Sequence, residues 1–161
     1  MSTTILRDHL VWGMEQCFDE GKGIESNSYL EELKELTPQQ AAWTPPGGSP
    51  SIWNIVNHTA EWAGTILKRT RGDLEKYTDT WAEPEIVTEE KWHESVEQLK
   101  NIHAALIDHL GNIDDAQLAK QVSPKSTGFN WDMAYAGLIV HAGYHTGQIA
   151  KLKELQGIKI K

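Results

Sequence analysis

The chain has 161 residues, a single cysteine and a formal net charge of −8, from 23 acidic and 15 basic side chains. This length predicts a single domain over residues 1–161 with a core that needs no disulfide, and a lone Cys17 is typical of a cytoplasmic protein. The acidic balance repels phosphate backbones, so no nucleic acid is expected as a partner. No apolar run approaches the roughly 18 residues of a membrane span, so no membrane is expected as a partner.

The first predicted helix begins after a cap at Thr3 or Thr4 and runs to about Glu20. Gly21 follows and ends it. We interpret Cys17 as a small apolar helix residue rather than as a nucleophile. The apolar residues that fill one broad side of this helix are Ile5, Leu6, Leu10, Val11, Met14, Cys17 and Phe18.

A long connection over residues 21–50 comes next, and two short helical turns are expected within it. The first covers residues 28–36. The second begins at Pro38, because Thr37 is a good cap and proline is favourable at the first helical position. The prolines and glycines of residues 44–50 then interrupt regular structure.

The second main helix is predicted to run over residues 50–71 with Ser49 as its cap, followed by a polar crossover at residues 72–87. Its apolar stripe consists of Ile52, Ile55, Trp62 and Ile66. His58 lies on or beside this stripe, at spacings of three and four from two of its members. Glu61, one turn later, could hold the second nitrogen of His58, although a solvated glutamate is the more common case.

Thr88 caps the third main helix, which Gly111 ends. The apolar seam of this helix is Trp92, Val96, Leu99, Leu106 and Leu110. His103 lies on the seam and is a candidate for a further ligand or a substrate contact. His93 and His109 are expected to be solvated.

A second long connection, residues 112–129, leads to the fourth main helix, which Thr127 or Asn130 caps and which ends at Gly157. Alternate steps of three and four residues give its inward seam as Trp131, Ala134, Leu138, His141, His145, Gln148, Leu152 and Leu155. No strand signal and no internal repeat stand out, so the pattern predicts an all-α chain.

Two histidines occupy this seam where leucines would be expected. His141 and His145 are about one turn apart on one face, so both imidazoles can reach a single point inside the bundle. Seven histidines in 161 residues will sometimes fall four apart by chance. However, two buried imidazoles need partners for their nitrogens, and a shared divalent cation would satisfy one nitrogen of each. The pair therefore suits a metal ion.

Three stretches together resemble the DinB-like superfamily of metal-binding four-helix bundles, also called DinB/YfiT-like. They are LTPQQAAWTPPGG at residues 36–48, SIWNIVNH at residues 51–58 and HAGYHTGQI at residues 141–149. The resemblance implies an all-α four-helix bundle with long crossover connections. It also implies that His58 joins the pair on the fourth helix, which makes His58, His141 and His145 the three metal ligands.

Some members of this superfamily transfer small thiols, such as bacillithiol or mycothiol, to electrophiles. The resemblance therefore implies a metal-dependent thiol S-transferase acting on small electrophilic substrates, with a low-molecular-weight thiol as cofactor. Zinc or nickel is the expected metal, because both bind thiolates well. No His-Glu-x-x-His arrangement is present on the fourth helix, which favours thiol transfer over proteolysis. A metal-dependent hydrolase and a non-catalytic metal-binding stress protein are the alternatives. A homodimer is also an expectation.

Overall fold

The computed structural model describes residues 3–23, 26–48, 50–125 and 127–158. Within these ranges the chain forms seven α-helices, and the β-type contact found there is an isolated antiparallel bridge between Gln121 and Asn130. The helices are α1 Ile5–Phe18, α2 Tyr29–Leu33, α3 Pro38–Ala42, α4 Ile52–Thr70, α5 Glu89–Gly111, α6 Asp115–Leu118 and α7 Trp131–Leu155. The prediction of an all-α fold is confirmed.

The long helices α1, α4, α5 and α7 pack together as a bundle in which the backbone of each lies close to the backbones of two others. Both α1 and α4 pack against α5 and α7. Consequently α1 lies diagonally opposite α4, and α5 lies diagonally opposite α7. The connections over residues 19–51 and 112–130 each join one diagonal pair. These are the two long crossovers that the family resemblance implies.

The start of α4 differs from the prediction. The helix begins at Ile52, and its cap is Ser51, whose hydroxyl accepts a hydrogen bond from the backbone N–H of Asn54 at 3.0 Å. The Asn54 side chain accepts in return from the backbone N–H of Ser51 at 2.9 Å, which completes a reciprocal cap. Ser49, the cap predicted from the sequence, lies outside the described residues.

The first turn of α1 is stabilised by a distant residue rather than by its own cap. Thr4 is the residue before the helix, as predicted, but its side chain makes no capping hydrogen bond. Instead the Asp115 carboxylate accepts a hydrogen bond from the backbone N–H of Arg7 at 3.0 Å. The helix ends at Phe18 and not at Glu20.

The buried side of α7 is broader than the predicted seam and differs from it at the end of the helix. Leu155 is 55% exposed, so its assignment to the seam is wrong. The helix carries no charged residue between Asp132 and Lys151. No side of it is therefore marked as the one facing solvent, and a spacing of three and four residues does not identify the buried face. Its buried residues are Ala134, Tyr135, Leu138, Ala142, His145, Ile149, Leu152 and Lys153. Across the described ranges, no helix combines the length and the apolar character that crossing a membrane requires.

A buried ion pair fastens the short helix α2 to α7. Lys153 Nζ lies 2.6 Å from Glu32 Oε2 and donates to the backbone oxygen of the same residue at 2.9 Å. Both side chains are almost fully buried, at 7% and 3% exposure. Asn27 donates to the other carboxylate oxygen of Glu32 at 2.8 Å. The crossover from α1 is thereby held against the helix that carries two of the candidate ligands.

A candidate three-histidine metal centre

Three histidines from two helices converge on one point. His58 projects from α4, and His141 and His145 project from successive turns of α7. The Nε2 atom of His141 lies 3.0 Å from Nε2 of His58 and 3.1 Å from Nε2 of His145. Ligand atoms around a tetrahedral zinc ion at about 2.0–2.1 Å would be roughly 3.3 Å apart. Small side-chain shifts would therefore let these three residues hold a metal ion.

Two of the three imidazoles have a hydrogen-bond acceptor behind them. His58 Nδ1 lies 2.9 Å from a carboxylate oxygen of Asp79, and His145 Nδ1 lies 2.7 Å from Oε1 of Gln148. An acceptor at this position keeps the proton on Nδ1, which leaves the Nε2 lone pair facing the point of convergence. Metal-binding histidines are usually oriented in this way.

The carboxylate that contacts His58 is not the one suggested by helical spacing. One Glu61 oxygen accepts a hydrogen bond from Thr80, and the other is buried without a partner among the described residues. Asp79 takes the position behind His58 instead, and it comes from the crossover between α4 and α5. We call residues 77–82 of this crossover the site arm.

Alternate residues of the site arm contact the same imidazole. The hydroxyl of Tyr77 lies 3.5 Å from His58 Nδ1, and the Trp81 ring stacks on the imidazole with centroids 4.0 Å apart and planes 6° apart. Asp79 stands between them in sequence, which fits an extended segment whose alternate side chains share one face. Asn54 donates to the backbone oxygen of Trp81 at 3.1 Å and to that of the next residue at 2.9 Å, which anchors the arm to α4.

Burial favours the neutral imidazoles that a metal ion requires. His58 is 7% exposed and His145 is 2% exposed, while His141 is partly buried. Burial, followed by the neighbouring His145 and His58, lowers the pKa of His141 to about 4. Burial also lowers the pKa of His145. At neutral pH neither of these two side chains has to lose a proton before it binds an ion.

Aromatic rings flank the converging histidines. Trp81 is 38% exposed, and the Tyr144 ring, which is 63% exposed, meets His145 edge-on with centroids 5.1 Å apart. On the α4 side, the Trp62 ring lies 6.2 Å from that of His141. The apolar part of a small molecule could pack on these rings while a polar atom reaches the ion.

None of the three histidines on α5 belongs to the converging group. His103 is buried at 8% exposure, but it stacks on Phe18 and is not among the converging side chains. His93 is exposed, as predicted. The prediction that His109 is solvated is wrong, because its Nδ1 lies 2.6 Å from the Tyr135 hydroxyl in a partly buried contact with α7.

Comparisons with known proteins agree with this architecture. The model of the DinB superfamily matches residues 25–149, a range that includes all three converging histidines. A crystal structure described as a conserved protein from Enterococcus faecalis is similar over 99% of both chains, with a TM-score of 0.67 and 18% sequence identity. At this level of identity the similarity concerns the fold alone. A search of curated protein sequences finds no significant match.

Proposed function

This chain belongs to the DinB superfamily, and from that premise we propose that it is a metal-dependent enzyme that transfers a small thiol to electrophilic molecules. The observation that supports the proposal is the convergence of three imidazole Nε2 atoms from His58, His141 and His145. Three neutral ligands leave a divalent ion with its full charge and at least one free position, as in catalytic zinc sites. Zinc or nickel bound there would act as a Lewis acid and hold a thiolate or a water molecule.

The surroundings of the histidines favour thiol transfer over hydrolysis. A hydrolase needs a general base within hydrogen-bond reach of the attacking water. Asp79 is occupied by His58 Nδ1 and by the Tyr77 hydroxyl, on the side of the imidazole that faces away from the convergence point. Glu61 uses one oxygen to bond Thr80, and it is not among the side chains whose ligand atoms converge with those of the three histidines. A thiol that coordinates a metal ion is deprotonated by the ion itself and needs no such base.

The residues of the chain would then have three separate tasks. The imidazoles hold the ion, while Asp79 and Gln148 fix two of them in the binding tautomer. The exposed faces of Trp81 and Tyr144 offer apolar surface for an electrophile with an apolar body. None of these tasks needs a charged contact with the substrate.

Steady turnover tests the proposal. Protein loaded with zinc or nickel is mixed with a panel of low-molecular-weight thiols and a chromogenic electrophile. We expect thiol consumption above the uncatalysed rate, loss of that activity with a chelator and recovery on adding metal back. Hydrolysis of an activated ester without any thiol would favour the hydrolase alternative. Tight metal binding with neither activity would favour a non-catalytic metal-binding protein.

A further inference from the structure

A small cavity inside the bundle adjoins the candidate metal centre. It is largely enclosed, and the volume open to the centre of a water-sized sphere is about 20 Å³. One water molecule needs roughly 10–15 Å³ by this measure, so the cavity has room for a single water. Its wall is mostly apolar, and the side chains in it that carry a polar atom are Cys17, Thr59, His103 and His141.

Two of these four polar groups already have partners. The Thr59 hydroxyl accepts from the Tyr29 hydroxyl at 3.0 Å and donates to the backbone oxygen of Ile55 at 2.8 Å. The Cys17 thiol donates to the backbone oxygen of Met14 at 3.3 Å. Burial raises the pKa of this thiol to about 12, which keeps it protonated. The two histidines are therefore the groups that a water molecule in the cavity would serve.

His103 is a buried imidazole that lacks a hydrogen-bond partner among the described residues. Its face is stacked on Phe18, with centroids 3.8 Å apart and planes 13° apart, so its edge carries the polar atoms that need a partner. The nearest carboxylate oxygen, on Asp19, is 3.9 Å from Nδ1, too far for a hydrogen bond. A neutral imidazole has one donor and one acceptor, and without a protein partner both depend on water.

His141 is the member of the metal centre that lines the cavity. His58 and His145 have Asp79 and Gln148 behind them, but no protein partner for His141 Nδ1 is found in the described part of the chain. The third ligand thus lacks the support that the other two have, and a buried histidine without a partner lines the same cavity.

We propose that one water molecule in this cavity bridges His141 and His103, and that His103 is a positioning residue for the metal centre. With an ion on Nε2, the Nδ1–H of His141 donates to the water, and the water donates to the ring nitrogen of His103 that carries the lone pair. The bridge holds the His141 ring as Asp79 and Gln148 hold the other two. This inference rests on the metal centre of the proposed function and does not depend on thiol transfer.

Zinc affinity measured by competition with a chromogenic chelator tests the role of His103 in the full chain. His103→Phe removes the polar edge and keeps an aromatic ring on Phe18, so we expect zinc binding to weaken about 10–100-fold. His103→Gln restores a group that bonds to the water and should stay within about threefold of the unmodified protein. Met14→Leu changes the same cavity wall without changing a polar side chain, and it is the matched control.

An unchanged affinity in His103→Phe would overturn the proposal. Equal weakening in His103→Phe and His103→Gln would do the same, since it would show that restoring a polar group at this position does not restore zinc binding. Circular dichroism confirms that each variant has kept its helices.

A second experiment tests for the bridging water molecule in metal-free protein. A crystal structure of metal-free protein, at a resolution that shows ordered waters, should contain one water within hydrogen-bond distance of ring nitrogens on both His103 and His141. A cavity without that water would refute the bridge. If the unmodified protein binds no zinc, the proposed function fails, but this crystallographic result still decides whether the bridge exists.

Discussion

Two groups of buried polar side chains involve α7, and their hydrogen-bonding needs are met in opposite ways. Toward the end of the helix, Lys153 donates to the carboxylate and to the backbone oxygen of Glu32, and Asn27 donates to the other carboxylate oxygen. Each buried donor in this group faces an acceptor of the same chain. The group is complete without anything from outside.

The histidine group in the middle of the helix is not complete by itself. With Asp79 and Gln148 holding protons on Nδ1, the Nε2 atoms of His58 and His145 are both acceptors, and both face Nε2 of His141. That nitrogen carries at most one proton, so at least one lone pair stays unmatched. Buried polar groups that bond to one another stabilise the fold, whereas buried groups that are left with an unpaired acceptor indicate a ligand site.

Removing one member of the complete group should have the largest effect on stability. Lys153→Met leaves the Glu32 carboxylate buried and unpaired, and we expect the free energy of unfolding in urea to fall by about 3–5 kcal/mol. Lys151→Met is the matched control on the same helix, because its ion pair with Glu154 is exposed and should contribute less than about 1 kcal/mol. Replacing Lys153 and Glu32 together by apolar residues should recover most of the loss. Similar values for the two single variants would contradict this assignment.

Removing one member of the incomplete group should affect metal binding and leave the fold intact. His145→Ala takes away one of the three proposed ligands, so zinc affinity should fall by more than the roughly 10–100-fold expected for an outer partner. The helical circular-dichroism signal should persist at room temperature, because the apolar seams of the bundle form a core without metal. Loss of that signal would show that the histidines stabilise the fold.

The sequence predicts the helical framework and the converging histidines well, for a physical reason. Helix positions follow from a local 3.6-residue period and from caps, and the predicted caps Thr37 and Thr88 are confirmed. The pair on α7 follows from the same period. The assignment of His58 needed the family resemblance, since no local pattern relates a residue on α4 to two residues on α7.

Contacts made by irregular or distant segments could not be predicted in this way. The site arm has no regular secondary structure and no period that points at His58. Helical spacing therefore suggests Glu61, whereas the structure places Asp79 behind His58. The ion pair of Lys153 with Glu32 joins two helices far apart in sequence. Likewise, no local signal in the sequence places Tyr135 against His109, so the sequence alone predicts a solvated histidine there.

Lowering the pH should destabilise the metal-free protein through the buried His103, whereas an exposed histidine should have no such effect. Burial lowers the pKa of His103 to about 4, against about 6.5 in an unfolded chain, so the unfolded state binds more protons between these values. The stability due to neutral His103 is fully present above about pH 6.5 and is lost as the pH falls toward about 4, by an amount of about 2–3 kcal/mol. Urea unfolding of metal-free protein across this range should show a shallower decline for His103→Phe. His93→Phe, an exposed histidine on the same helix, should decline like the unmodified chain.

The smallest predicted effect concerns the site arm, and it decides which carboxylate supports His58. Asp79→Asn removes the charge behind Nδ1, which lowers the basicity of the imidazole and loosens its orientation. We expect zinc affinity to fall about 10–100-fold, with little change in stability because Asp79 is a largely exposed residue. Glu61→Gln is the control of the same chemistry, one turn from His58 on α4, and it should leave the zinc affinity within about threefold.

If Glu61→Gln weakens zinc binding and Asp79→Asn does not, the helical spacing rather than the arm identifies the partner of His58. Equal losses in both variants would mean that zinc responds to the total negative charge near the site and not to one hydrogen bond.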